Sequence, residues 1–175
     1  FASTMDYILP NQVAKIFVEL GGTGPVLDVG AGTGLAGQAL SKLGINPIDA
    51  LDLSGAMLEV ALEKKIYRNF FTSDITQPIV TNNYSYQGII SSGTFTHGHV
   101  GPNAIDNLIT VAEDGAFFAL SINKNHWIEK GFAKKFESLN GVIEKLLLHN
   151  VNIYGKNSKG EHCNDIGIVA TFWKA

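Results

Sequence analysis

Three alternating glycines stand where an apolar run gives way to a helical pattern, in Val26-Leu27-Asp28-Val29-Gly30-Ala31-Gly32-Thr33-Gly34-Leu35. Glycine at such a turn permits a positive φ and lets the backbone approach a ligand that a Cβ would hold off. In open α/β folds, ligands bind at the carboxyl ends of the strands, where this turn would lie. Two cofactor chemistries are compatible with it. Gly32-Thr33-Gly34-Leu35-Ala36-Gly37 satisfies the G-x-G-x-x-G fingerprint of dinucleotide binding. Asp28 points elsewhere, because a carboxylate at the start of the loop opposes a doubly anionic pyrophosphate. It suits the sulfonium and ammonium of S-adenosylmethionine. Gly30, Ala31, Gly32 and Gly34 are then expected backbone contacts of that cofactor.

Two further acids follow at intervals that suit either cofactor. Asp52 ends Ile48-Asp49-Ala50-Leu51-Asp52-Leu53-Ser54 and could accept hydrogen bonds from both ribose hydroxyls, or cap a helix together with Ser54. Leu53 and Met57 offer an adenine ring an apolar wall, although Met57 also fits a helix core. Asp74, in Phe70-Phe71-Thr72-Ser73-Asp74-Ile75, could accept from an adenine amino group while Ile75 packs on the ring. A surface turn explains Asp74 as well.

Holding these residues at one edge requires a particular arrangement of elements. Short β-rich runs at Val26–Val29, Ile48–Leu53, Phe70–Ser73, Gly88–Ser92 and Ala116–Ile122 alternate with helical stripes. The stripes are Leu35/Ala36/Ala39/Leu40/Leu43, Met57/Val60/Ala61 and Ile105/Leu108/Ile109/Ala112. Val13, Ile16, Phe17 and Leu20 form another, upstream of Gly21-Gly22. Strand–helix–strand alternation demands crossover connections and a parallel sheet. The ending differs: one helix is expected around Asn125–Leu139, then strands at Val142–Val151 and Ile166–Trp173. Their connection is too short for a crossover helix, so an antiparallel hairpin at the sheet edge is expected. The fold class is therefore α/β: a Rossmann-like, doubly wound, mostly parallel seven-stranded sheet with a C-terminal antiparallel hairpin and helices on both faces. Residues 1–175 read as a single domain, with 1–22 an N-terminal helical segment.

Bulk composition narrows the classes. With 45% hydrophobic and 17% charged residues the chain can bury a core, which excludes a disordered protein. Thirteen basic against sixteen acidic residues give a net charge of −3, so no nucleic-acid partner is expected. No apolar run reaches the length of a membrane span, and no leader peptide is visible, so the expected location is cytoplasmic. The single cysteine, Cys163, cannot form an intrachain disulfide. It is also far from the fourth strand, which argues against a cysteine nucleophile. Asn/Asp-Pro-Pro-Tyr is absent, and no tyrosine is followed four places on by lysine, as a short-chain reductase would require.

With Asp28, Gly30, Gly32, Gly34, Asp52, Asp74 and Ile75 in place, the chain resembles the class I S-adenosylmethionine-dependent methyltransferases from about Val26 to Ile122. The resemblance implies that Gly88–Gly93 is the fourth-strand motif, whose backbone, at Ser92 and Gly93, approaches the methionyl group and the transferred methyl. Gly93-Thr94-Phe95-Thr96-His97-Gly98-His99-Val100 is similar to the subfamily named after the Williams–Beuren syndrome critical region. Gln87 departs from it, standing where many relatives have aspartate. The N-terminal segment is also shorter than in such relatives, implying a truncated lid. The implied activity is methyl transfer from S-adenosylmethionine to a small-molecule O, N or C nucleophile, leaving S-adenosylhomocysteine. Positioning carries most of such a reaction. His97 is the expected base, with His99 the second choice, because histidine titrates near neutrality. Asn123 and His126 are weaker candidates for the acceptor pocket. No metal site is expected, since two histidines at i, i+2 lack further ligands. Two alternatives stay open: a nicotinamide-dependent oxidoreductase, and a non-catalytic S-adenosylmethionine-binding subunit.

Overall fold

The computed structural model describes residues 6–96, 98–156, 160 and 165–175. His97 and Cys163 lie outside the described residues.

Val26–Val29 (β1) is buried at every position, as a central parallel strand covered on both faces must be. Around it lie β2 (Ile48–Asp52), β3 (Phe70–Thr72), β4 (Tyr86–Phe95), β5 (Ala112–Asn123), β6 (Ile143–Asn152) and β7 (Ile166–Lys174). The seven strands form one sheet in the order β3-β2-β1-β4-β5-β7-β6. The first five are parallel, and β7 is antiparallel to both β5 and β6. The strand order reverses at β1/β4, where chain connections leave in opposite directions and open a crevice at the carboxyl ends. Register sets Asp28 beside Ala50 of β2 and Ile90 of β4, so the glycine turn emerges between both neighbours.

The helices are α1 (Leu9–Glu19), α2 (Leu35–Lys42), α3 (Gly55–Leu62), α4 (Ala104–Thr110), α5 (His126–Glu129) and α6 (Phe132–Ser138). Pleating divides the core in two. Phe117 and Ala119 join Val13 and Phe17 of α1 and Leu40 of α2 on one face. Phe118 and Leu120 join Ile105 and Leu108 of α4 and Phe132 and Phe136 of α6 on the other. Phe118 stacks on Phe172 with centroids 4.6 Å apart, tying the antiparallel end into the second core.

The structure corrects several expected elements. The helix expected over Asn125–Leu139 is two, because Gly131 adopts φ +84° between α5 and α6. In α3 the buried residues are Leu58 and Ala61, while Met57 and Val60 are exposed. This helix is apolar almost all round, so its sequence stripe could not choose a face. The fourth strand runs past Ser92 to Phe95, with a register shift against β5 between Ser91 and Phe95. Gly93 is thus a strand residue rather than a loop residue. Ala112 opens β5 rather than ending a helix. Gln87, at the amino end of β4, donates through its amide to Glu113, whose other oxygen accepts from Ser85 Oγ at 2.8 Å. The departure at Gln87 therefore lies at the opposite end of the strand from the crevice.

Candidate functional site

The glycine loop is held by backbone groups on both sides. Gly30 adopts φ +65°, and a Cβ there would overlap Thr94 Oγ1, which donates to the Val29 carbonyl at 3.2 Å. Gly30 is thus required both for its dihedral and for the close approach of β4. On the β2 side, Ala31 N donates to the Leu51 carbonyl at 3.0 Å. Gly32 N donates to Asp52 Oδ2 and Ser54 N to Asp52 Oδ1, each at 2.8 Å. Ser54, not Asp52, caps α3, its Oγ accepting from Met57 N at 3.2 Å. Each Asp52 oxygen therefore has one backbone donor and retains lone-pair capacity toward the crevice.

Asp28 sits elsewhere. It is 1% exposed and lies behind the loop, lining no part of the crevice. Tyr67 donates to its Oδ2 at 2.6 Å. Loss of water pushes the Asp28 carboxyl up to about 7. The Tyr67 hydroxyl and the Gly37 N–H pull it down from where burial alone would set it. Burial and the neighbouring Asp28 in turn push the Tyr67 phenol far above its ordinary value. Gly37 leaves no room for a Cβ against the Tyr67 ring. The third glycine of the G-x-G-x-x-G pattern thus seats a tyrosine.

Two cavities open at the strand ends and share Gly30 and Gly93. The first, about 430 Å3, runs from Ala31 and Gly32 past Ser92 and Gly93 to Tyr7 and Tyr154. The second, about 330 Å3, lies between Asp52, Leu53, Asp74, Ile75 and His99. Both are of a size that holds part of a small ligand. A Cβ on Gly93 would meet nothing within 4 Å, so this strand residue faces open space at the junction.

The other sequence-selected residues divide between the two cavities. Gly34 caps α2 with φ +97° and lines neither. Met57 borders the first, half exposed; Leu53 borders the second and is 72% exposed. Ile75 belongs mainly to the core at 6% exposure and shows only an edge to the second cavity. Asp74 is exposed, and its Oδ1 accepts from Thr76 N at 2.9 Å and Thr76 Oγ1 at 2.7 Å, which hold its carboxyl below the usual range. His99 stands at the second cavity, away from the first. Asn123 lines the first and donates to the Thr96 carbonyl at 3.2 Å. His126 lines neither; its ring abuts Gly98.

Sequence reasoning missed the outer wall of the first cavity. Tyr7 and Tyr154 form an isolated antiparallel bridge, with rings 5.8 Å apart. Ile8 N donates to the Ile153 carbonyl at 3.0 Å, and Gly155 N to that of Asp6 at 2.8 Å. Burial and Tyr154 push the Tyr7 phenol up to about 12. Asp165 completes the wall, its carbonyl accepting from Ile153 N at 3.3 Å. No local pattern marks these residues; only the long-range pairing brings them together. Thr94 was visible inside its motif, but its lock on Gly30 was not.

Comparison with known proteins agrees with this geometry. No curated protein matches the chain in sequence. Among solved structures, the N-methyltransferase NodS of Bradyrhizobium japonicum, in complex with S-adenosyl-L-homocysteine, superposes with a TM-score of 0.70 at 12% identity. That match covers 94% of this chain and 85% of that one. Magnesium protoporphyrin IX methyltransferase of Synechocystis, with bound S-adenosylmethionine, gives 0.66 at 17% identity, covering 95% and 78%. A Pyrococcus horikoshii protein assigned as an RNA methyltransferase gives 0.67 at 16% identity, covering 95% and 81%. At such identities the likeness is one of fold. The sequence profile of the methyltransferase domain family matches residues 26–115, just over half of the chain and all of the glycine loop, Asp52, Asp74 and Gly93. The chain therefore belongs to the methyltransferase domain family.

Proposed function

We propose that the protein transfers a methyl group from S-adenosylmethionine to a small-molecule acceptor, releasing S-adenosylhomocysteine. The observation that carries this reading is the pair of cavities meeting at Gly30 and Gly93, with Asp52 at the second held by two backbone N–H groups. The residues fit the cofactor. Asp52 has acceptor capacity for two ribose hydroxyls, and Leu53 and Ile75 offer apolar surface to an adenine, with Asp74 at its edge. Gly93 leaves the width of a side chain for the methionyl half, beside Ala31, Gly32 and Ser92. When bound, the cofactor supplies a methyl on a positively charged sulfur.

The protein's part is to hold and orient. Asp28 acts from behind the loop: its carboxyl, in its ionised form, contributes negative potential without occupying the space. The lack of lysine and arginine among the described residues of either cavity wall favours a small molecule over a polyanion. His97 remains the base candidate for hydroxyl or carbon acceptors. Calorimetry with S-adenosylhomocysteine tests the reading. Micromolar binding, with no competition by NADH, is expected. Absence of binding at millimolar ligand overturns it, and NADH binding instead restores the oxidoreductase alternative.

A further inference from the structure

The outer end of the first cavity has its own chemistry. Tyr7 and Tyr154 place two rings 5.8 Å apart at a mutual tilt of 46°, and Asp165 lines the same wall. The β6–β7 hairpin and the Tyr7–Tyr154 bridge fix all three relative to one another. The ionisable side chains in this cavity's described wall are these three, and Asp165 is the carboxyl group among them. Aromatic faces within about 6 Å of a cation attract it through the ring quadrupole. A carboxylate beside them adds a charge-assisted hydrogen bond to an N–H donor. An anionic acceptor would be repelled by a carboxylate, and a neutral alcohol, although it could donate one hydrogen bond, would lack both the ion pair and the attraction to the ring faces.

We propose that this end of the cavity takes an amine acceptor, selected by Tyr7, Tyr154 and Asp165, so that the reaction is N-methylation. The proposal rests on the methyltransferase reading above. The amine arrives as an ammonium and yields one proton to solvent. Its freed lone pair forms the new N–C bond as the S–C bond breaks, that electron pair staying on sulfur. The products are an N-methylammonium and a neutral thioether. Tyr7 stays a neutral phenol throughout.

The test uses the full chain saturated with S-adenosylhomocysteine. Matched sets of small molecules that differ only in an amine, an alcohol or a carboxylate group, phenethylamine, 2-phenylethanol and phenylacetate among them, are titrated by ligand-observed NMR. Amines are expected to bind at least tenfold tighter than their partners. Asp165→Asn should erase that preference while changing S-adenosylhomocysteine affinity less than twofold. Tyr154→Phe should keep the preference and Tyr154→Ala should reduce it, with thermal melts confirming that each variant is folded. Equal binding across the sets, or no amine preference in any set, overturns the proposal. So does an Asp165→Asn variant that loses S-adenosylhomocysteine affinity and keeps amine preference, because the carboxylate then serves the cofactor. Failure of the wild type to bind S-adenosylhomocysteine would instead strike the methyltransferase reading itself.

Discussion

The cradle at the ends of β1, β2 and β4 and the wall made by Tyr7, Tyr154 and Asp165 face each other across one cavity, yet they are built differently. In the cradle every restraint has a backbone group on at least one side: Ala31 N on the Leu51 carbonyl, Gly32 N and Ser54 N on the Asp52 carboxylate, the Thr94 hydroxyl on the Val29 carbonyl. Its side chains are small, and its polar atoms are fixed before any ligand arrives. In the wall, backbone pairing around the Tyr7–Tyr154 bridge holds the chain in place, but the surface turned to the cavity is made of larger side chains. A surface read by backbone suits a ligand that never changes, whereas a surface read by side chains can be varied without disturbing the sheet. Cofactor recognition should therefore be rigid and acceptor recognition adjustable.

The largest way to break the cradle is Gly30→Ala. The new Cβ would enter Thr94 while the backbone stays at φ +65°. Left-handed backbone costs about 1–2 kcal/mol and overpacking about 1–3 kcal/mol, so stability should fall by about 2–5 kcal/mol and cofactor binding should vanish. Chemical denaturation with S-adenosylhomocysteine titration measures both. Gly93→Ala is the contrast: its Cβ meets no neighbour, so the melting point should hold while affinity falls about tenfold. Equal stability losses in both variants would mean that the loop is not locked by Thr94.

Asp28 comes next, through pH. Its carboxyl titrates at about 7 in the folded protein against an ordinary 3.8, so the folded state binds the extra proton between those values. Stability from this group is fully present below pH 4 and is lost as pH rises toward 7, by on the order of 4 kcal/mol. Relative to Asp28→Asn, wild type should lose unfolding free energy across pH 4–7 and run parallel above about pH 8. A constant difference across the whole range would place Asp28 in water, against its burial.

This cradle was legible in the sequence because it is local. Gly30, Gly32 and Gly34 are nearly consecutive, Asp52 ends one strand with a β-rich signature, and Asp74 follows another. Parallel pairing of the first five strands followed from strand–helix alternation, and the antiparallel ending from the short connection between the last two. Orientation was not legible: Asp28 and Asp52 end neighbouring strands, yet Tyr67, far along the chain, encloses one and leaves the other at the cavity. The Met57/Val60/Ala61 stripe failed because α3 carries apolar residues on all sides, so only packing against Ala31 and Ala50 chose Leu58. The wall was invisible for a different reason. Tyr7, Tyr154 and Asp165 come from distant parts of the chain, and no periodicity encodes a two-residue bridge.

Asp52→Ala sharpens the comparison on the cradle side. Hydrogen bonds to a charged group contribute roughly 1.5–3 kcal/mol each. Losing both ribose contacts, offset by relaxation of the loop, should cost about 3 kcal/mol, or roughly 100-fold in S-adenosylhomocysteine affinity. A modest fall in melting point should accompany it, since Gly32 N and Ser54 N lose their acceptor. Asp52→Asn, which keeps an acceptor oxygen, should recover part of the affinity. Unchanged binding in the alanine variant would remove Asp52 from the site.

The smallest effect is expected from the wall. Tyr154→Ala removes one ring of the Tyr7 pair, an aromatic contact of about 0.5–1.5 kcal/mol, and leaves every backbone restraint of the cradle intact. The melting point should drop by a few degrees, and S-adenosylhomocysteine affinity should stay within threefold of wild type. Acceptor affinity should fall about tenfold with the cofactor site filled, because one side of the cavity then opens to water. Calorimetry with S-adenosylhomocysteine alone separates the two sides cleanly. If Tyr154→Ala costs as much cofactor affinity as Asp52→Ala, the bridge is part of the cradle. The contrast between a backbone-built and a side-chain-built surface would then fail, since one ligand would be reading both.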